Sequence, residues 1–253
     1  MKQFVRQAIF YTVLIAVWVI LAKTKVWPPY VFPTPTGVYD SLRAGFADHS
    51  FWIAIAVSMK RMVIGYSLSV VLGMILGLGV ASNKFLEETV GGLLVSLQSL
   101  PSICWLPLAV LWFGLTEKAI LFVVVMGSLL SVTIAMETGR QQMPKIYGMA
   151  GRNLGAKGFK LFWYVLLPAS LPFILSGLKQ GWAFAWRSLI SGEMIFVSLG
   201  LGQLLMMGRD LYDMSQVISV MLLIIFIGYV VDGLVFKTVE RRLQRRWGLA
   251  PAK

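Results

Sequence analysis

The sequence predicts an all-α polytopic membrane protein, with six transmembrane helices forming one transmembrane domain over residues 1–253. Hydrophobic residues make up 58% of the 253 residues and charged residues 13%, against about 45–50% and about 25% in soluble proteins. The mean hydropathy is +0.77. The apolar residues are also gathered in long runs, and a transmembrane helix needs about 20 such residues.

Six apolar runs follow one another along the chain. We place them at residues 8–22, 53–82, 89–113, 119–135, 173–196 and 214–236. The first has a basic start, and Lys23 follows it without a small-x-small cleavage site, so we interpret it as an uncleaved anchor rather than a signal peptide. In the second, residues 62–81 form the lipid-buried part, and its small residues favour close helix packing.

Prolines mark two special segments. Residues 23–50 contain four prolines, which disfavour long helices, so we expect a Pro-containing loop outside the membrane with one amphipathic helix at 36–46. The third run is interrupted by Pro101 and Pro107. A broken helix at membrane depth is tolerated where protein covers it or where it lines a cavity. This segment therefore borders a pathway or is a kinked packing helix.

Basic residues set the predicted orientation. With six spans both termini lie on one side, which then carries 14 of the 23 Lys and Arg residues, against seven on the other. The positive-inside rule places both termini, the loop 140–172 and the basic tail 237–253 in the cytoplasm, and the loop 23–50 in the periplasm. The net charge of +12 is thereby explained without nucleic acid as a partner.

Several kinds of chemistry are excluded by the residues present. One cysteine, Cys104, and one histidine, His49, cannot form an internal disulfide or a Cys/His zinc site. The chain has no phosphate-binding G-x-x-x-x-G-K-[ST] loop, no G-x-S-x-G elbow and no H-E-x-x-H motif. We therefore predict that the chain is not an enzyme and holds no cofactor or metal.

The loop 140–172 carries five basic residues and no acid. Pro144 suits the start of a helix over 145–154, and Gly155 suits its C-terminal turn. A second short helix over 159–167 is expected to stop at Pro168. Such a protruding pair either fits a groove on a partner or lies on the membrane surface.

This loop resembles the "EAA" motif of permease subunits of bacterial ABC importers, in which E-A-A is followed at fixed spacing by Gly, Ile and Leu-Pro. The matching positions here, together with the adjacent Arg152, are Met149, Ala150, Gly151, Gly155, Val165, Leu167 and Pro168. Met149 replaces the Glu of the motif, Gly151 the second Ala and Val165 the Ile. The resemblance implies that the loop docks on a cytoplasmic ATPase subunit.

The resemblance covers residues 33–247 and is closest to the nitrate/sulfonate/taurine branch. It rests on strings such as Ser58-x-x-Arg61, Leu106-Pro107-Leu108, Trp112-Phe113-Gly114 and Ala185-Trp186-Arg187. It implies the type I ABC importer permease fold and a homodimer in the inner membrane. It also implies two ATPase subunits, which hold ATP and Mg, and a periplasmic or lipid-tethered binding protein.

Ionisable and aromatic residues in the fifth run are candidates for the substrate pathway. Arg187 lies near its middle and suits an anion, or it pairs with an acid on a neighbouring helix. Trp182 and Trp186 share a face and serve either packing or the pathway. Glu193 is expected at a gate or a helix contact. Lys179 is expected to snorkel to the interface, and Asp232 to lie in a helix contact or at the interface.

The expected function is import of a small anion, with sulfonates or taurine preferred and nitrate or bicarbonate as further candidates. Three alternatives remain. A permease of the same fold could carry another solute, such as a vitamin precursor. A secondary transporter should show inverted repeats and acids at mid-membrane. A membrane enzyme should show a reactive cluster.

Overall fold

The computed structural model describes residues 2–24, 26–28, 30–195 and 199–246, and these residues contain helices and no β-strand. Part of the predicted basic tail, residues 247–253, lies outside the described residues. The helices are α1 Lys2–Lys23, α2 Pro35–Ala47, α3 Ser50–Ser82, α4 Lys84–Leu86, α5 Gly92–Gln98, α6 Leu106–Phe113, α7 Glu117–Gln141, α8 Lys145–Asn153, α9 Gly158–Leu161, α10 Leu167–Ile195, α11 Leu201–Asp210, α12 Met214–Val231 and α13 Lys237–Arg246.

The predicted spans are confirmed, with one of them broken. Five helical stretches are long and apolar enough to cross a membrane, and a sixth span is formed if the pair Lys84–Gln98 and Ser102–Phe113 is counted as one. The axes of this pair are bent by 100° at the break, which contains Pro101. The predicted interruption at Pro107 is wrong. Pro107 lies in the first turn of α6, where its missing N–H has no helical partner to lose.

Two other boundaries differ from the sequence-based expectation. The short helix that was expected to stop at Pro168 instead continues through a π-turn, Phe162–Leu166, into α10, so the fifth span begins earlier than residue 173. In this turn the Leu167 N–H bonds to the Phe162 carbonyl, and such a bulge accommodates a residue without an N–H. The stretch 197–213, expected as a loop, contains α11.

The chain folds into two compact units, each made of two stretches. The first comprises Met1–Met59 and Glu193–Ile227. In it, the predicted amphipathic helix is present as α2, which starts at Pro35 and is capped by Thr34, whose Oγ1 accepts a bond of 3.2 Å from the Gly37 N–H. Ser219 donates to the Val38 carbonyl at 2.9 Å. The second bond links α2 to α12 within this unit.

The second unit comprises Lys60–Gly192 and Gly228–Lys253 and is centred on α7, the most buried of the spans. Gly73 of α3 lies against Val132 of α7, so that a Cβ on this glycine would come 2.8 Å from the Val132 Cβ. Gly177 of α10 is even closer to its neighbour, and a Cβ there would overlap with that of Ala135. The predicted role of small residues in close helix approach is confirmed here.

Candidate functional site

A short helical segment carries residues 149–155 of the motif singled out in the sequence. It consists of α8, preceded by the extended residue Pro144 and followed by Gly155, whose φ of +85° favours glycine. The Ala156 N–H bonds to the Gly151 carbonyl and the Gly155 N–H to the Arg152 carbonyl, both at 2.9 Å. This is a Schellman-type end, and it confirms the predicted helix and its glycine turn.

Gly151 sets how closely α8 approaches the following helical segment. A Cβ at this position would lie 2.6 Å from Leu161 Cδ1 and 3.1 Å from Val165 Cγ2. Leu161 is buried, whereas Val165, Leu167 and Pro168 are half-buried. The side of α8 that carries Gly151 therefore packs against α9 and the turn after it. We call this the inner side of α8, and the opposite side the outer side.

The outer side of α8 is apolar although it is exposed. Ile146, Ala150 and Leu154 follow one another at four-residue spacing and are all exposed, with Leu154 exposed to 88%. Met149 and Tyr147 add further exposed apolar surface beside them. An exposed apolar ridge of this kind is typical of a protein–protein contact.

A cavity of about 530 Å³ adjoins this ridge. Its lining includes Met149 and Arg152 from α8 together with Glu87, Glu137 and Gln141. The Gln141 amide donates to Glu87 Oε1 at 2.8 Å and to Glu137 Oε1 at 3.4 Å. One amide group thus bridges the two carboxylates. Met149, which stands in place of the Glu of the motif, lines the same cavity.

A second cavity, of about 420 Å³, opens at the break between α5 and the Ser102–Trp105 turn. Arg187 of α10 lies on its wall. The other lining residues are Gln98, Ser99, Leu100, Pro101, Ser102, Ile103, Trp105, Met126, Gly127, Leu130, Phe184 and Ser191. The break therefore borders a cavity.

The guanidinium of Arg187 is held in place by its own helix. Its Nε donates to the Ala183 carbonyl at 3.2 Å, and its Cζ lies 5.0 Å from the centre of the Phe184 ring. The residue is exposed, and Nη1 and Nη2 donate to none of the described residues. The part of the guanidinium that can bind a carboxylate or sulfonate with two parallel bonds is thus available at the cavity.

Trp182 and Trp186 pack inside the same unit. The Trp182 ring meets Tyr66 edge-on at 5.2 Å between centroids, and Trp186 is only 8% exposed. The described lining of the cavity includes neither tryptophan. These contacts favour the packing alternative for both residues, while Arg187 remains the candidate for the pathway.

Glu193 belongs to the other unit, where it is completely buried. The Ser58 hydroxyl donates to its carboxylate, with distances of 2.9 Å and 2.7 Å to the two oxygens. The Gly202 N–H donates to Glu193 Oε2 at 3.1 Å, and the Leu201 N–H donates to Ser58 Oγ at 2.9 Å. Glu193 and Ser58 therefore cap the first turn of α11, which favours the helix-contact alternative for Glu193.

The sequence predicted that Lys179 extends to the membrane interface. In the structure its side chain pairs with an acid instead. Its Nζ lies 2.8 Å from Asp232 Oδ1, and Lys237 Nζ lies 3.4 Å from Asp232 Oδ2. Asp232 thus joins α10 to the last turn of the sixth span, which favours the helix-contact alternative for this residue.

Sequence reasoning did not identify the polar residues that Arg187 shares its cavity with. Gln98 and Ser102 flank the break, and Ser191 lies one turn after Arg187. The Gln98 amide also donates to Ser131 at 2.9 Å. The signal was present in the sequence, since two serines and a glutamine surround Pro101 within an otherwise apolar run.

Comparisons with known proteins identify the family. Residues 69–248 match the family described as binding-protein-dependent transport system inner membrane component. The putative aliphatic sulfonates transport permease protein of Escherichia coli is 30% identical, over 94% of this chain and 89% of that protein. The nitrate import permease protein of Synechocystis is 27% identical, over 89% of this chain and 83% of that protein.

The fold also matches solved structures. A methionine ABC transporter in inward-facing conformations aligns with a TM-score of 0.62 at 19% identity, over 76% of this chain and 96% of the matched chain. The chain therefore has the type I ABC importer permease fold.

Proposed function

The chain belongs to the family of binding-protein-dependent transport system inner membrane components, and from this premise we propose that it forms the pathway of an ATP-driven importer for a small anion. The observation that carries the proposal is the guanidinium of Arg187 at the 420 Å³ cavity beside the broken span. An uncompensated arginine in a membrane-spanning helix is unfavourable unless it faces a cavity or a partner. An anionic solute is the partner that its free Nη1 and Nη2 fit.

The cavity favours an organic anion over an inorganic one. Its volume lies in the range of roughly 300–1,000 Å³ that pockets for small organic ligands occupy. Beside Arg187 and the polar residues of the break, its wall contains Ile103, Met126 and Phe184. A sulfonate such as taurine or an alkanesulfonate would place its anionic group on Arg187 and its carbon chain along this apolar wall.

Nitrate and bicarbonate are the second candidates. A nitrate permease is among the relatives, and Arg187 would bind either anion. Neither anion has a carbon chain to contact the apolar part of the wall. A vitamin precursor that is cationic or neutral would gain nothing from Arg187.

The exposed apolar ridge of α8 supports coupling to an ATPase subunit. In the proposed complex two copies of this chain enclose the pathway, and two ATPase subunits bind the motif residues 149–155 of the two copies. ATP binding moves the two α8 helices together and changes the access of the pathway. A periplasmic binding protein delivers the solute, and both termini of this chain lie in the cytoplasm with α8.

The proposal is tested with the complex of chain, ATPase and binding protein in proteoliposomes. ATPase stimulation and uptake are measured with taurine, alkanesulfonates, nitrate, bicarbonate and a neutral vitamin precursor. We expect stimulation by sulfonates, and a reduction of about 10- to 100-fold in Arg187→Ala, the range for a lost charge-assisted bond. Arg187→Lys should be intermediate because lysine keeps the charge without the planar fork.

The matched control is Arg209→Gln, which removes an arginine that is exposed and paired with Asp210 at 2.7 Å. This variant should transport normally. Unchanged transport in Arg187→Ala would exclude Arg187 from the pathway. Stimulation by the neutral solute and by none of the anions would overturn the proposed substrate class.

A further inference from the structure

We propose that the outer face of α13 binds the anionic headgroups of membrane phospholipids. The inference concerns Arg241, Arg242 and Arg245, and it does not depend on the substrate proposed above. All three are exposed. Among the described residues, none of the three forms an ion pair. The positive charge of this surface is therefore not neutralised within the described chain.

The three arginines share one face of the helix. With 100° between successive residues, they cover about 100° of its circumference. Arg245 lies three residues after Arg242 and four after Arg241, so the three are neighbours on the surface. The opposite face carries Glu240 and Leu243, which line a cavity together with Phe236 of the preceding turn and residues of α10 such as Lys179. The packed and the basic faces of α13 thus point in different directions.

Neighbouring like charges on a helix destabilise it. The helix dipole favours cations only in the last turn, which accounts for Arg245 and leaves Arg241 and Arg242 unexplained. Glu240 forms no ion pair with any of the three arginines in the described chain; its side chain accepts from Gln244 at 3.3 Å and lines the cavity on the other side of the helix. Lys237 is already engaged by Asp232. A stripe of unneutralised arginines is instead the arrangement that binds phosphate groups.

The length of the helix places this stripe at the membrane surface. The helix that begins at Met214 continues without a break to Arg245 over 32 residues, which is about 48 Å at 1.5 Å per residue. The hydrocarbon core is only about 30 Å thick, and the headgroup layers bring the total to about 40–45 Å. The last turns of α13 must therefore pass through one headgroup layer, whichever side of the membrane that is. Lipid phosphate is the anion present there at the highest concentration.

Basic residues next to a membrane span each gain about 1 kcal/mol from an anionic surface, or roughly fivefold in affinity. Three arginines together then give a preference for anionic over zwitterionic lipid of up to about 100-fold at low salt. This preference should weaken when the ionic strength rises, because the Debye length falls from about 10 Å at 0.1 M to about 3 Å at 1 M.

The test uses the full chain in nanodiscs of phosphatidylcholine, with or without 30 mol% phosphatidylglycerol (roughly one lipid in three). Hydrogen exchange of the backbone amides of residues 237–246 is followed by mass spectrometry, and exchange of α7 serves as a measure of intact folding. We expect α13 to exchange at least about tenfold more slowly with phosphatidylglycerol, and the difference to disappear at 1 M salt. The triple change R241Q/R242Q/R245Q should abolish the difference, whereas R241K/R242K/R245K should retain most of it.

Equal exchange in both lipids would overturn the proposal, as would an undiminished lipid effect in the glutamine variant with α7 still protected. A third arm adds the ATPase subunit to phosphatidylcholine discs. If α13 becomes protected there, and anionic lipid has no effect, the arginines serve a protein contact and the lipid proposal is wrong. None of these outcomes bears on substrate uptake, so the two proposals fail separately.

Discussion

The hydroxyl of Ser58 and the carboxylate of Glu193 are hydrogen-bonded inside the first unit although 135 positions separate them in the sequence. Both side chains are completely buried. Together they accept the N–H groups of Leu201 and Gly202. Helix α11 follows Gly200, which has no side chain to cap it, and two distant residues therefore satisfy its first N–H groups.

This arrangement predicts that Glu193→Ala destabilises the protein by about 2–5 kcal/mol, because it leaves the Ser58 hydroxyl and a buried N–H without their acceptor. Glu193→Gln should be milder, since the amide oxygen can still accept one of these bonds. Thermal unfolding in detergent measures both effects, with Asp210→Asn as an exposed control that should change little. Equal stability of Glu193→Ala and the native chain would exclude the capping role.

Close packing at Gly177 gives a second prediction. A Cβ at this position would overlap with that of Ala135 on α7. Gly177→Ala should therefore destabilise the second unit by about 1–3 kcal/mol although alanine is the better helix former. Gly92→Ala is the matched control, because Gly92 is also helical and nothing lies within 4 Å of its added Cβ. This change should be neutral or stabilising by up to about 1 kcal/mol, and the same response at both sites would contradict the packing argument.

The difference between these glycines could not be predicted from the sequence. Spacing predicted that small residues in the spans would face neighbouring helices, and Gly73 does so. Whether a particular glycine meets backbone, side chain or open space depends on the rotation of two helices about their axes. The one-dimensional pattern does not contain that rotation, because every face of these spans is apolar.

The same limit explains why helix α8 could be predicted from the sequence whereas the cavity at Arg187 could not. Helix α8 could be predicted closely because local rules determine it: Pro144 and Gly155 mark its ends, and both are read from adjacent residues. The following helix could not, since it continues past Pro168 into α10. The cavity assembles Gln98, Met126 and Arg187 from three different helices. Only Arg187 was recognisable beforehand, since a charge in an apolar span is conspicuous whereas a serine or glutamine is not.

A third prediction concerns the apolar ridge of α8. Ala150→Asp and Leu154→Asp place a charge on exposed positions, so the isolated chain should fold with an unchanged melting temperature. If the ridge binds the ATPase subunit, burying an unpaired carboxylate there should weaken co-purification at least about tenfold. Gly155→Asp is a less clean test, because the φ of +85° makes the substitution strained by itself.

Gln142→Glu is the control for this experiment. It adds the same charge at an exposed position just before α8 and outside the ridge. Association should persist in this variant. Normal association and transport in both aspartate variants would show that α8 is not the coupling element.

A final prediction distinguishes large from small anions at the cavity. Ser191 lies four residues after Arg187 and lines the same wall. Ser191→Phe would therefore fill space next to the guanidinium while leaving its hydrogen bond to Ala183 and its contact with the Phe184 ring in place. Uptake of a long alkanesulfonate should fall at least about tenfold, the equivalent of 1.4 kcal/mol. Uptake of nitrate or methanesulfonate, if either is a substrate, should fall much less, because a small anion needs only the space at Arg187. Competition between the two classes of anion in proteoliposomes measures the ratio directly. A variant that loses both classes equally has changed the helix packing, whereas one that loses neither shows that the solute does not pass through this cavity.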